Sequence, residues 1–399
     1  MYKHTFKRCA WLFAAGTALH LFLGPLHPSF LAYPWGAILA VNYLYLLVLL
    51  YTMAGKWTWV KTLYNRQACI AAFSTMLVLT LLFGLIRQDP ATGGLTGLLG
   101  FSQMTSSWIF NIFLVYFMTV IGLTTIDDLY HWKKRNKFAL LFHLAFWVIL
   151  VSAVFGSGDK IRVRVTTTVG QPVQGGTTAD GRPHTLPFSI LLKEFSMDEY
   201  PPRLYLYSQG KLSKHFVTLE EGASQGLLGN WQVKSVQTLD KAGRRSDADD
   251  YAPMNHVGAT TAAWVEAVHT TSRQTAKGWV SCGSHIFDGA TLALPDGSEI
   301  VMPRREPKRY LSKVELADKT HKWPEEIRVN HPATVGSWKI YQVGYDTDRG
   351  RWSTVSMLEC VKDSWYPAIH IAMWLVVCLG VVMCLFGWKK PANKKEEKS

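Results

Sequence analysis

Three histidines sit where an ionisable side chain is costly. His143 lies in KFALLFHLAFWVIL, His20 in WLFAAGTALHLFL and His370 in YPAIHIAMWLVV, each inside or at the edge of an apolar run. Charge is expensive in a bilayer, so such a histidine calls for a functional explanation. Neutral imidazole is a good axial ligand for haem iron, with its second ring nitrogen bonded to a neighbour. The plainer alternative is that each ring bonds a carbonyl or hydroxyl between helices. For His143, His20 and His370 the residues alone leave both open. A b-type cytochrome needs histidines that face one another across helices. His143 and His20 fall at opposite depths, so a second iron ligand is expected from another subunit.

Other chemistry is sparse. No hydrolase constellation stands out, and HExxH, GxGxxG and Walker sequences are missing. Glu194, Asp198 and Glu199 read as a solvated strand edge, and His285 and His331 lack the spacing of metal ligands. The six cysteines form no CxxC or CxxCH, which excludes a thioredoxin-like motif and a covalent haem site. Cys9, Cys69, Cys378 and Cys384 fall in or beside apolar runs and read as small fillers. Cys282 and Cys360 lie in a polar block, where an oxidising compartment would permit a bridge.

The elements that would position these residues follow from hydropathy. Apolar runs are expected to span at Trp11–Leu23, Trp35–Met53, Cys69–Ile86, Trp108–Ile126, Phe138–Phe155 and Ile369–Trp388. The first, flanked by Lys3, Lys7 and Arg8, also fits a secretory signal peptide. A second run follows after only HPSFLAYP, with no small-residue cleavage site, so the pair reads as an uncleaved helical hairpin. With the N-terminus inside, every membrane-flanking Lys and Arg except Arg87 falls on the cytoplasmic side.

The net charge of +13 could suggest nucleic acid, so its location matters. The block 157–366 holds about 26 of the 42 Lys/Arg and about 24 of the 29 Asp/Glu, which is near neutral. The basic excess therefore flanks the apolar runs, and no nucleic-acid partner is expected. Within the block, IRVRVTTTV alternates apolar and polar residues, and PFSILLKEF, WQVKSVQTL, TAAWVEAVH and SWKIYQVGY behave alike. Turn signals such as LPDGSE separate them. The expected fold is an α-helical integral membrane protein of about six helices with a large all-β extracytoplasmic domain, a β-sandwich or two stacked β modules. Residues 1–156 form the first membrane region, 157–366 the β-rich domain, and 367–399 a last helix with a basic cytoplasmic tail. The stretch DKAGRRSDADDYAP reads as a charged loop, and the aromatics Tyr205, Tyr207, Trp279, Trp338, Tyr341 and Tyr345 as core or partner surface.

Several stretches together resemble the ResB/CcsB family of system II cytochrome c biogenesis. They are LLGFSQMTSSWIFNIF, FHLAFWVILVSAVFGSGDKIRVRV, PFSILLKEFSMDEYPPRLYLY, and VNHPATVGSWKIYQVGYDTD followed by SMLECVKDSWYPAIHIAMWL. The resemblance runs from about Leu98 to Trp388, and an extra hairpin precedes it. It implies a bacterial inner-membrane subunit that pairs with a CcsA/ResC-like chain, both termini of this chain being cytoplasmic. Together they would carry haem across the membrane and support its attachment to apocytochrome c, with a ResA-like thiol reductase as a further partner. Haem is then transient cargo. The family's intramembrane histidine maps onto His143. The tryptophan-rich WGxxWxWD run is missing here, as expected if it belongs to the CcsA chain. Thioether formation needs thiolate and proximity, so no catalytic side chain is expected from the β domain. Two alternatives stand beside this: a scaffold for CcsA without haem contact, and a quinone- or haem-b-linked redox protein.

Overall fold

The computed structural model describes residues 2–54, 56–89, 91–133, 136–220, 223–245 and 250–386. The tail KKPANKKEEKS and the Trp388 end of the last expected span lie outside them. Contacts divide the chain into two compact units, Met1–Lys160 with Asp363–Ser399, and Ile161–Lys362.

The first unit is helical, with α1 (Tyr2–Leu23), α2 (Trp35–Met53), α3 (Thr58–Lys61), α4 (Arg66–Leu85), α5 (Gly94–Leu98), α6 (Trp108–Tyr130), α7 (Lys137–Phe155) and α8 (Tyr366–Phe386). Among the described residues five of these, α2, α4, α6, α7 and α8, are long and apolar enough to cross a membrane. The expectation of about six is met by five. The sixth long helix, α1, carries Lys3, Lys7 and Arg8 within its first two turns. The helices are apolar all round, and Phe22, Leu85 and Val41 are well exposed, as suits a lipid solvent.

Side chains that pack between these helices are often small. Gly122 of α6 leaves no room for a Cβ, which would lie 2.7 Å from Trp147 of α7 and from Leu47 of α2. Gly16 of α1 meets the Ile109 backbone of α6 just as closely. Close backbone approach through small residues is how helices associate where no hydrophobic drive separates them from lipid. Asn65 caps α4 by accepting from Ala68 N at 2.8 Å, and Asn136 starts α7 by accepting from Phe138 N at 2.9 Å.

The second unit is all β. It opens with β1 (Ile161–Thr168), β2 (Pro172–Thr178) and β3 (Pro183–Glu199). Then come β4 (Arg203–Ser208), β5 (Lys211–Thr218), β6 (Gln225–Leu228), β7 (Trp231–Arg244), β8 (Tyr251–Pro253) and β9 (Thr260–His269). These are followed by β10 (Thr275–Ser281), β11 (Leu292–Ala293) and β12 (Glu299–Val301). The chain ends with β13 (Pro307–Ala317), β14 (Lys322–Arg328), β15 (Ala333–Val335), β16 (Trp338–Tyr345) and β17 (Val355–Lys362). One sheet has the order β14-β13-β3-β2-β1-β17-β16-β15, a second β10-β9-β7-β6 with β8 on β7, and a third β11-β12-β4-β5.

Two cores result. The eight-stranded sheet curls so that its edge strands share one interior, with Ile327 from β14 and Val335 from β15 beside Phe188, Trp338 and Ile340. The other two sheets face each other over Leu204, Trp231, Val265, Val280 and Ile300. This is the two-module outcome, with β4–β12 inserted between β3 and β13. In β1, Val163, Val165 and Thr167 are buried while Arg162, Arg164 and Thr166 are exposed, the alternation read in the sequence. The stretch expected as a charged loop is shorter than that. β7 runs on to Arg244 and pairs with β8, Ala242 opposite Pro253 and Arg244 opposite Tyr251. Ala242 is fully buried there, which is why the strand continues.

Candidate functional site

α6 ends in DDLY, placing two adjacent carboxylates in a last turn that has no basic residue. A helix C-terminus carries partial negative charge, so acids there are unfavourable unless something else holds them. Neighbouring helices do so. Tyr51 of α2 donates its hydroxyl to Asp127 Oδ1 at 3.1 Å. His143 Nδ1 lies 3.0 Å from Asp128 Oδ2.

His143 stands in the second turn of α7, and the α6–α7 pairing through Gly122 sets the ring against Asp128. Asp128 is 8% exposed, and the His143 side chain 32%. A carboxylate accepts only, so Nδ1 carries the hydrogen and donates it. Nε2 then keeps its lone pair and has no hydrogen-bond partner among the described residues. A carboxylate that fixes the tautomer and holds the ring is also what commonly stands behind a metal-binding imidazole. Between the two explanations left open for His143, its partner is neither a carbonyl nor a hydroxyl.

The other two histidines differ. His370 is engaged at both nitrogens, with Tyr366 Oη 3.3 Å from Nδ1 and Trp374 Nε1 donating to Nε2 at 3.2 Å. Its acceptor lone pair is already used. His20 is buried in α1, its ring tight against Gly100, where a Cβ would lie 2.5 Å away; its Nδ1 has no partner among the described residues. Gly100 has a φ of 73°, so the glycine serves both the turn and the ring. The structure does not gather His143, His20 and His370 into one constellation.

Sequence reasoning missed Asp128. The available signal was two acids in the last turn of an apolar helix, a placement that invites a cationic or donating partner.

In the β unit, Cys282 and Cys360 are free and belong to different cores. Burial, with a smaller push from Glu359, raises the Cys360 thiol to about 12, so it is inert packing. Cys9 and Cys69 pack within the helical cores, whereas Cys378 and Cys384 are exposed. The sequence GASQG at 222–226 fits the spacing of a nucleophile elbow, but Ser224 enters β6 rather than a helix, and its Oγ accepts from Glu220 N at 2.9 Å. Glu199 is no exposed strand edge, because Arg305 lies 3.5 Å and Arg351 3.6 Å from it, all three side chains being largely buried. Burial pushes its carboxyl up against the pull of the two arginines. Asp240 joins the cluster, and both guanidiniums hold its carboxyl below its ordinary value despite burial. No cluster of three or more His, Cys, Asp or Glu suited to a metal ion occurs among the described residues.

Comparison with known proteins adds one match. The model of the ResB-like family fits residues 294–373, from the end of the inserted module through β13–β17 into α8. The match supports membership of the ResB/CcsB family and suggests a role in cytochrome c biogenesis; it does not reach the His143 helix. No curated protein matches the chain.

Proposed function

We propose that this chain is the subunit of a cytochrome c synthase that receives haem in the membrane, with Nε2 of His143 as an axial ligand. The observation that carries the reading is the 3.0 Å pair between His143 Nδ1 and Asp128, which orients the opposite nitrogen and leaves it without a hydrogen-bond partner among the described residues. Asp128 holds the ring and fixes its tautomer, so that little ordering remains when iron is taken up. The second ligand comes from a CcsA/ResC-like chain, and haem is cargo that passes on to apocytochrome c. His20 and His370 are given no ligand role in this reading. One ring is buried and the other has its lone pair engaged.

The orientation proposed is N-terminus in the cytoplasm of a bacterial inner membrane and β unit on the periplasmic side. It rests on the basic residues flanking the apolar runs. His143 then lies near the cytoplasmic end of its helix.

The test is haem retained by the complex purified with its CcsA-like partner. His143→Ala is expected to lose co-purifying haem by more than about tenfold, and added imidazole to restore part of it. Normal haem loading and normal cytochrome c maturation in that variant would leave the chain as a scaffold. A stable b-type spectrum from the chain purified alone would favour the redox protein instead.

A further inference from the structure

α1 and α2 form a hairpin whose arms are spread across α6. α1 lies on α6 and α4, whereas α2 lies on α6 and α7. Between the arms runs a groove of about 820 Å³, a volume usual for a ligand site. Leu12 of α1, Leu46 of α2, Leu63, and Ile112 and Val115 of α6 line it, among others. Its α6 wall extends from Trp108 to Thr119, about 16 Å of helix. Leu39, Leu46 and Val115 are exposed there, so the groove opens sideways to lipid. Three of its polar side chains are engaged within the protein. Asn42 donates to Ile38 O at 2.9 Å, Asn111 to Ser107 O at 2.9 Å, and the Tyr43 and Thr119 hydroxyls meet at 3.1 Å. Such walls suit a hydrocarbon chain.

The end near Thr119 is different. Tyr116 lines the groove, and its hydroxyl is buried without a hydrogen-bond partner among the described residues. It packs in one core with Cys9, and Arg8 is close enough to act on it electrostatically. Arg8 lies one turn before Leu12 in α1. It donates to Thr62 Oγ1 at 2.6 Å and to Thr62 O at 3.4 Å, and Thr62 adjoins Leu63. Those bonds use two of the five guanidinium hydrogens, and among the described residues no carboxylate forms an ion pair with Arg8. A cation among membrane helices is costly without an anion. The groove therefore joins an apolar channel to a cation and a free hydroxyl donor, and the anion must come from outside the chain.

We propose that this groove binds one anionic phospholipid, with an acyl chain along α6 and the phosphate at Arg8 and Tyr116. Phosphate accepts from the remaining guanidinium hydrogens and from the phenol, which meets both demands at once. The sideways opening selects a bilayer component over a soluble anion. In the orientation proposed above, the head lies toward the cytoplasmic leaflet, where basic pockets between helices hold such heads. The bound chain bridges α1 and α2 across the gap between them. The site uses neither His143 nor Asp128.

The experiment uses the full chain, stripped of lipid in a mild non-ionic detergent. Native mass spectrometry follows retention of added dioleoyl phosphatidylglycerol or dioleoyl phosphatidylcholine. One phosphatidylglycerol is expected to bind about fivefold more tightly than phosphatidylcholine. Arg8→Gln should abolish that preference and leave the phosphatidylcholine affinity unchanged, while Arg8→Lys should keep most of it. Tyr116→Phe should weaken phosphatidylglycerol binding about tenfold. Val115→Trp should displace both lipids, because its ring fills the groove. A phosphatidylglycerol with a diazirine in mid-chain should label α2 and α6 beside Val115. The proposal is overturned if the two lipids bind alike, if Arg8→Gln keeps the preference, or if labelling falls elsewhere. It also fails if oleate or haem binds there more tightly than phosphatidylglycerol, since a free carboxylate or a haem propionate is then the anion.

Discussion

The two units solve opposite problems with the same side-chain alphabet. In the helical unit apolar residues cover the outside, so burial of a large side chain says little. In the β unit they are enclosed in two cores, and polar groups meet at the junctions. A charge pair therefore carries different information in each. Arg305 and Arg351 hold Glu199 and Asp240 at the junction of two sheets, where such a cluster fastens layers and stays in reach of water. Asp128 and His143 pair between apolar helices, where an ionisable group is tolerated only with a partner and a purpose. A polar contact is most telling where the surrounding solvent makes it most costly.

Three measurements would break or sharpen this contrast. The largest effect is expected from Phe188→Ala, since the ring is 1% exposed in the first β core. It should cost about 3–5 kcal/mol in chemical unfolding of the β unit. Phe22→Ala in the helical unit, at an 88% exposed ring, should change stability in detergent by less than about 1 kcal/mol. Equal costs would show that the helical unit hides a packed exterior.

Next in size is Asp128→Asn. The amide can still touch the ring, but it can donate as well as accept and so does not fix the tautomer. Haem affinity in the complex should fall about 10–100-fold while the chain remains assembled. Unchanged haem affinity would reduce the pair to helix fastening.

The smallest effect concerns acid. Burial raises the Glu199 carboxyl above its ordinary value even with Arg351 and Arg305 beside it. A raised folded-state value means the native state binds the proton more readily than the unfolded chain. Its contribution is then fully present below the unfolded value of 4.5 and is lost as pH rises through the folded one. Asp240 has the opposite sign, its stabilisation being lost as pH falls through a value below 3.8. Glu199→Gln should therefore flatten the dependence of the urea midpoint on pH just above 4.5. An unchanged slope there would assign that dependence to other groups.

Much of the architecture was legible. α2 begins and ends at Trp35 and Met53, the bounds of its apolar run, which holds no charged residue and whose Asn42 is satisfied by the Ile38 carbonyl one turn back. α6 runs one turn beyond the expected Ile126, and that turn holds Asp127 and Asp128. Reading the helix to end where hydropathy falls concealed them. The insertion of β4–β12 between β3 and β13 was not legible either, since period 2 reports which face a residue takes but not its partner strand. β7 continued through Asp240–Arg244 because Ala242 is buried, a fact that a stretch rich in charge hides.

The sequence by itself determined five of the six expected long apolar helices, the all-β nature of the central block and His143 as a candidate, because hydropathy and alternation are local. Tertiary structure alone decided that Asp128 meets His143, that Trp374 engages His370, that Gly100 closes over His20, and that β4–β12 form a module of their own. Each of these depends on which elements become neighbours, and that follows from packing between helices and strand registers far apart in the chain.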